Sequence, residues 1–144
     1  MMATANNVLS IAKRDIGYKE SPPGSNRTKY GKWYGMDGQP WCMMAVQYWL
    51  DQAGVTPVIR TASCGALMRA AIRAGEWVTG GYQPGDVVIY DFPGGAATDH
   101  TGIIEGFDGR YVTAIEGNTS NQCARRSYAL NSAKIVGYGR PKYD

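Results

Sequence analysis

The feature that most constrains this chain is a change in the period of its apolar residues near position 82. Ahead of that point they recur at helical spacing; beyond it they come in short runs separated by glycine and proline turns. Residues 7–17 read as a helix, with Val8, Leu9, Ile11, Ala12 and Ile16 mainly on one face and Gly17 as its stop. Residues 41–53 read as a second helix, preceded by Pro40 and ended by Gly54, with Ala45, Val46, Trp49, Leu50 and Ala53 as a broad apolar stripe. Residues 62–74 read as a third, ended by Gly75. Between the first two lies a long irregular stretch, 20–40, whose Tyr30, Trp33 and Tyr34 argue against disorder. Strands are expected at 87–90, 100–106, 110–117 and 135–139, with a loop at Pro93-Gly94-Gly95. Helices first and strands after predict an α+β fold, with N-terminal helices packed on a C-terminal antiparallel sheet.

A chain of 144 residues is expected to form one domain with one core, and is long enough to fold without disulfide or metal. The net charge of +3 suits an anionic environment such as a bacterial wall, but is far from a nucleic-acid footprint. No basic run interleaved with aromatics points to DNA or RNA. Residues 1–7 lack the basic and apolar regions of a signal peptide, and nothing approaches the roughly 18 apolar residues of a membrane span. Three cysteines, at 42, 64 and 123, leave at least one thiol free; a Cys64–Cys123 bridge is possible. No Cys/His cluster has zinc spacing, and no metal or other cofactor is expected.

His100 is the only histidine, so any histidine-based mechanism passes through it. Gln39-Pro40-Trp41-Cys42 supplies a thiol at a predicted helix start. There the partial positive charge and free N–H groups favour the thiolate and can hold an oxyanion. The alternative is that Cys42 is a small apolar residue packed at a helix start. Cys64 and Cys123 lack such a setting and read as structural. Gln39 has an amide that could donate to an oxyanion, and Trp41 and Trp33 could line a substrate groove. Asp37 and Asp91 could ligate a cation, although calcium-loop spacing is absent.

The turn after the histidine strand decides what faces His100. A two-residue loop, Asp108-Gly109, would send Glu116 to the opposite face. A three-residue loop, Phe107-Asp108-Gly109, pairs Gly106 with Arg110 and sets Glu116 directly across from His100, with Asn118 two residues on. We adopt the three-residue loop. Glu116 could then hold the imidazole tautomer and Asn118 could add a second contact. Asp99 is a rival carboxylate, but adjacent strand residues point to opposite faces.

The stretch 26–35, followed by Gly38-Gln39-Pro40-Trp41-Cys42, resembles the segment leading to the nucleophile of the CHAP family, the cysteine, histidine-dependent amidohydrolases/peptidases. Pro84-Gly85-Asp86-Val87-Val88, His100-Thr101-Gly102-Ile103-Ile104 and Ile115-Glu116-Gly117-Asn118-Thr119 resemble the later motifs of that family, in order. The resemblance covers about residues 5–140 and implies a papain-like fold. It further implies a peptidoglycan hydrolase, endolysin-like, of phage or bacterial origin. Such an enzyme cuts an amide bond as an N-acetylmuramoyl-L-alanine amidase or as a stem-peptide or cross-bridge endopeptidase. Cys42 would be the nucleophile, His100 the base and acid, and Glu116 with Asn118 the orienting groups. Some members bind calcium ahead of the nucleophile; the acidic cluster this needs is missing here. Residues 1–144 are expected to be a single catalytic domain without a wall-binding module, acting as a monomer. It would reside in the host cytoplasm before release to the wall, or act on the wall from outside. The nearest rival is an NlpC-type peptidase, which usually carries a second histidine where Glu116 stands. A non-catalytic wall- or protein-binding module with a degenerate site, and an antibacterial toxin, are the other readings.

Overall fold

The computed structural model describes residues 3–92 and 99–144; the loop expected at Pro93-Gly94-Gly95 lies outside the described residues. Helix α1 spans Ala5–Arg14. It starts two residues earlier than its apolar stripe suggests, because the Thr4 hydroxyl accepts from the Asn7 N–H and caps it. It buries Val8, Leu9, Ile11 and Ala12. Asp15, just past its end, turns inward and accepts from Lys29 Nζ, Tyr30 Oη and Trp49 Nε1. That carboxylate ties α1 to the next two helices.

The irregular stretch is ordered from within. Glu20 is buried and accepts from Trp41 Nε1 at 3.0 Å and from the Asn26 N–H at 3.1 Å. A short helix, α2 (Lys29–Tyr34), follows, capped by the Thr28 hydroxyl and closed by Gly35 at φ 97°. Helix α3 (Cys42–Gln52) is buried on nearly every side, and α4 (Cys64–Ala74) is capped by Ser63 and ended by Gly75.

Six strands form one antiparallel sheet in the order β1-β6-β2-β3-β4-β5. They are β1 (Trp77–Val78), β2 (Val87–Tyr90), β3 (His100–Phe107), β4 (Tyr111–Thr119), β5 (Gln122–Ala129) and β6 (Ile135–Gly139). Val87, Ile89, Ile103 and Ile115 pack with the helices. Val88, Tyr90, Ile104, Val112, Ala114 and Tyr138 form a second apolar cluster. The α+β architecture is the one the change of period predicts, with the helices on the sheet. Strands β1 and β5 and helix α2 were not expected.

The β3–β4 register corrects the sequence reading. The three-residue loop would have paired Ile104 with Val112; Ile104 instead pairs with Ala114, two residues further along. Asp108 is the cause at the turn: its Oδ1 accepts from the N–H groups of both Arg110 and Tyr111, while Gly109 takes φ 96°. A bulge between Ile104 and Gly106 inserts Glu105 as an extra residue, held outward by Arg125 and Lys13. Glu116 therefore stands against Gly102 rather than opposite His100; an added Cβ on Gly102 would lie 2.7 Å from Glu116 Cγ. The possible Cys64–Cys123 bridge is also corrected: all three thiols are free, and Cys123 Sγ lies 3.3 Å from Tyr30 Oη.

Candidate active site

Cys42 is the first residue of α3 and is buried. Trp41, the residue at the cap position, offers no side-chain acceptor, so its side chain does not quench the N–H groups of the first turn. The Met43 N–H points at the Cys42 sulfur. His100 opens β3, beside the end of β2, with Tyr90 as its cross-strand partner. The two residues meet: the Cys42 thiol and the imidazole are close enough that each shifts the other's proton affinity.

The shift of two residues leaves Glu116 on the His100 face, since alternation has period two. Its Oε1 lies 3.0 Å from His100 Nε2. With Nε2 engaged there, Nδ1 is the ring nitrogen left for the sulfur. Glu116 is wholly buried, and its other oxygen, Oε2, accepts from Tyr128 Oη at 2.8 Å. The Phe92 ring lies 5.0 Å and the Tyr90 ring 5.8 Å from the imidazole, centroid to centroid.

These contacts set the charge state. A hydrogen bond with Cys64 is the largest influence on Cys42; with His100 it outweighs burial and brings the thiol down to about 5. For His100, burial works against the charged ring, but the contacts with Cys42 and Glu116 outweigh it and push the imidazole up to about 9. Cys64 moves the opposite way, well above the ordinary thiol range, because it faces the Cys42 charge and is itself buried. The two shifts run in the directions that favour a thiolate on Cys42 beside a protonated His100 ring.

The remaining expected residues fall elsewhere. Asn118 sits in a bulge between Glu116 and Thr119 at φ 57°, and its side chain forms no hydrogen bond among the described residues. Trp41 is fully buried, its ring stacked on Tyr30 at 5.4 Å, so it supports the core and lines no groove. Trp33 is half-buried against Tyr48, with the Arg60 guanidinium 5.2 Å from its ring. Gln39 is exposed in the loop ahead of α3. Asp99 is exposed and caps the Phe92 N–H at 3.1 Å, away from the imidazole role. Asp37 accepts from the Thr28 N–H, and the Asp91 carboxylate is buried without a hydrogen bond among the described residues. No three acidic, histidine or cysteine side chains converge on a metal position among the described residues. Two members of the site were missed. Cys64 begins a capped helix just as Cys42 begins its own, a signal that was available; Tyr128 lies on a strand with no clear alternation, and nothing local marks it.

The sequence model described as CHAP domain matches residues 33–118, more than half of the chain. Comparison with curated proteins by sequence finds no match. Among solved structures, the crystal structure of Ly7917 aligns with a TM-score of 0.60 at 19% identity, covering 96% of this chain and 62% of that one. A structure of Ly7917 with the hydrolyzing product of MDP aligns at 20% identity and TM-score 0.60, covering 96% and 63%. An NLP/P60-family protein, similar to lipoprotein, from Staphylococcus aureus subsp. aureus Mu50 aligns at 13% identity and TM-score 0.55, covering 97% and 42%. The chain thus spans less than two thirds of each of these proteins, and what is shared is the papain-like α+β fold.

Proposed function

Since the chain belongs to the CHAP domain family, we propose that it is a peptidoglycan hydrolase that cleaves an amide bond through Cys42. The observation that carries this reading is the connected row of Cys42, His100 and Glu116, buried together where α3 begins and β3 begins. The Ly7917 structure with the hydrolyzing product of MDP supports the same substrate class. A binding module with a degenerate site has no need of a thiolate held by a buried imidazolium, so the intact row favours the enzyme.

The Cys42 thiolate attacks the scissile carbonyl carbon, and the carbonyl electrons move to oxygen. The N–H groups at the start of α3 receive that oxyanion, with the Gln39 amide as a second donor from the preceding loop. His100 passes its proton to the leaving nitrogen as the C–N bond breaks, leaving a thioester on Cys42. The now neutral imidazole takes a proton from water, whose oxygen attacks the thioester carbonyl and releases the acid product and the thiolate. Glu116 holds the ring in one tautomer through Nε2 throughout. The bond cut is that between muramic acid and L-alanine or one within the stem peptide or cross-bridge, and Trp33 borders the substrate path.

Cys42→Ala should abolish clearing of a purified peptidoglycan suspension with the melting temperature kept. Clearing at the wild-type rate by that variant would end the proposal. Mass spectrometry of the digest then assigns the bond: free glycan without stem peptides means an amidase, and new amino termini within peptides mean an endopeptidase.

A further inference from the structure

We propose that Tyr128 is a positioning residue of this site, holding Glu116 so that its other oxygen orients His100. The glutamate has no exposed surface, so water cannot satisfy its charge. Its two oxygens are divided, Oε1 to His100 Nε2 at 3.0 Å and Oε2 to Tyr128 Oη at 2.8 Å. A carboxylate held at both oxygens cannot rotate, and an imidazole held by such a carboxylate keeps its Nδ1 aimed at the sulfur.

Tyr128 reaches Glu116 from a distance. In the β4–β5 ladder Glu116 pairs with Ala124, while Tyr128 pairs with Val112, four residues away along the strand. The phenol therefore leans along the sheet, and its lean is fixed by packing: its ring lies 4.7 Å from Tyr90 and 6.0 Å from Phe92. Phe92 in turn flanks the imidazole at 5.0 Å. One aromatic wall thus braces both the histidine and the hydroxyl that sets its carboxylate. Burial and the Glu116 charge raise the Tyr128 phenol well above its ordinary value, so it stays a donor.

The groups facing Glu116 are His100 from β3, Tyr90 from β2 and Tyr128 from β5, with Arg126 on β5 acting on Tyr128 and Cys42 of α3 beyond the imidazole. The Tyr90 hydroxyl is close enough to feel the Glu116 charge but completes no hydrogen bond among the described residues. Without the Tyr128 hydroxyl, Oε2 loses the donor that bonds it among the described residues, and the carboxylate is free to turn away from the ring. The imidazolium then loses support, and with it the thiolate.

The test uses the full chain as wild type, Tyr128→Phe and Glu116→Gln. Phenylalanine keeps the ring against Tyr90 and Phe92, and a thermal melt checks that the fold is kept. The readout is the pH midpoint of Cys42 alkylation by iodoacetamide, followed by mass spectrometry of the Cys42 peptide. Wild type should show a midpoint near about 5. Tyr128→Phe should raise it by about one pH unit, and Glu116→Gln should raise it further. Clearing of peptidoglycan at neutral pH should fall about tenfold in Tyr128→Phe. A purely structural tyrosine would lower the melt or scale the rate without moving the midpoint, and an unmoved midpoint overturns the proposal. The clearing arm rests on the hydrolase reading, the alkylation arm does not. If even wild type fails to clear walls, that reading falls while the midpoint still decides the role of Tyr128.

Discussion

Replacing Gly102 with alanine should disable the site without removing any group that reacts. An added Cβ there would sit 2.7 Å from Glu116 Cγ and 2.9 Å from the Ile115 carbonyl oxygen. Carbon atoms in contact settle at about 3.5–4.0 Å, so something must give by roughly 1 Å. The carbonyl belongs to β4, next to the Ile103–Ile115 ladder pair, and Glu116 is wholly buried with both oxygens bound. Overpacking of this kind costs about 1–3 kcal/mol, or roughly 3–10 °C in melting temperature for a chain of this size. A shift of about 1 Å stretches the Glu116–His100 contact beyond hydrogen-bonding range, and misplacement on that scale costs about a hundredfold in rate. Gly106, on the same strand, has no atom within 4 Å of an added Cβ and is the control. Turbidity clearing and a thermal melt on Gly102→Ala and Gly106→Ala read both effects. In the register expected from the sequence, Gly102 would face Ala114 and alanine would fit. Wild-type clearing and melting by Gly102→Ala would therefore refute the observed placement of Glu116.

Clearing by the wild-type chain should follow a bell against pH, with limbs near about 5 and about 9. Below the first limb the Cys42 sulfur takes a proton and is no longer a nucleophile; above the second His100 loses the proton the leaving amine needs. A rate still rising above pH 10 would contradict this assignment. Cys64→Ala removes the strongest influence holding the Cys42 thiol low, so the alkylation midpoint should climb by about one pH unit. Should the midpoint stay put, Cys64 is packing alone.

That Cys42 and His100 come together was legible because residue type nearly suffices for it: one histidine in the chain, and one cysteine straight after a proline and tryptophan at a helix start. The groups that set that pair were not, since they depend on strands far apart in sequence. Strand β5 hides because Arg125 and Ser127 share the alternating face of the buried Cys123, so polar and apolar residues do not separate with a period of two. Helix α2 has six residues, too few for a period to show. Glu105 gives no local sign of being a bulge; what holds it outward is Arg125, on a strand two along. That unseen residue and the Asp108 turn together displaced the register by two, and two is the displacement that strand alternation forgives. Glu116 kept its face and reached His100 diagonally over a glycine, whose missing side chain leaves the room. A displacement of one would have turned the carboxylate to the other face, which is why the contact survived an error in the turn. Asn118 had no such protection: the bulge ahead of Thr119 breaks the alternation that would have placed it. The second contact to the site passed instead to a phenol from the next strand.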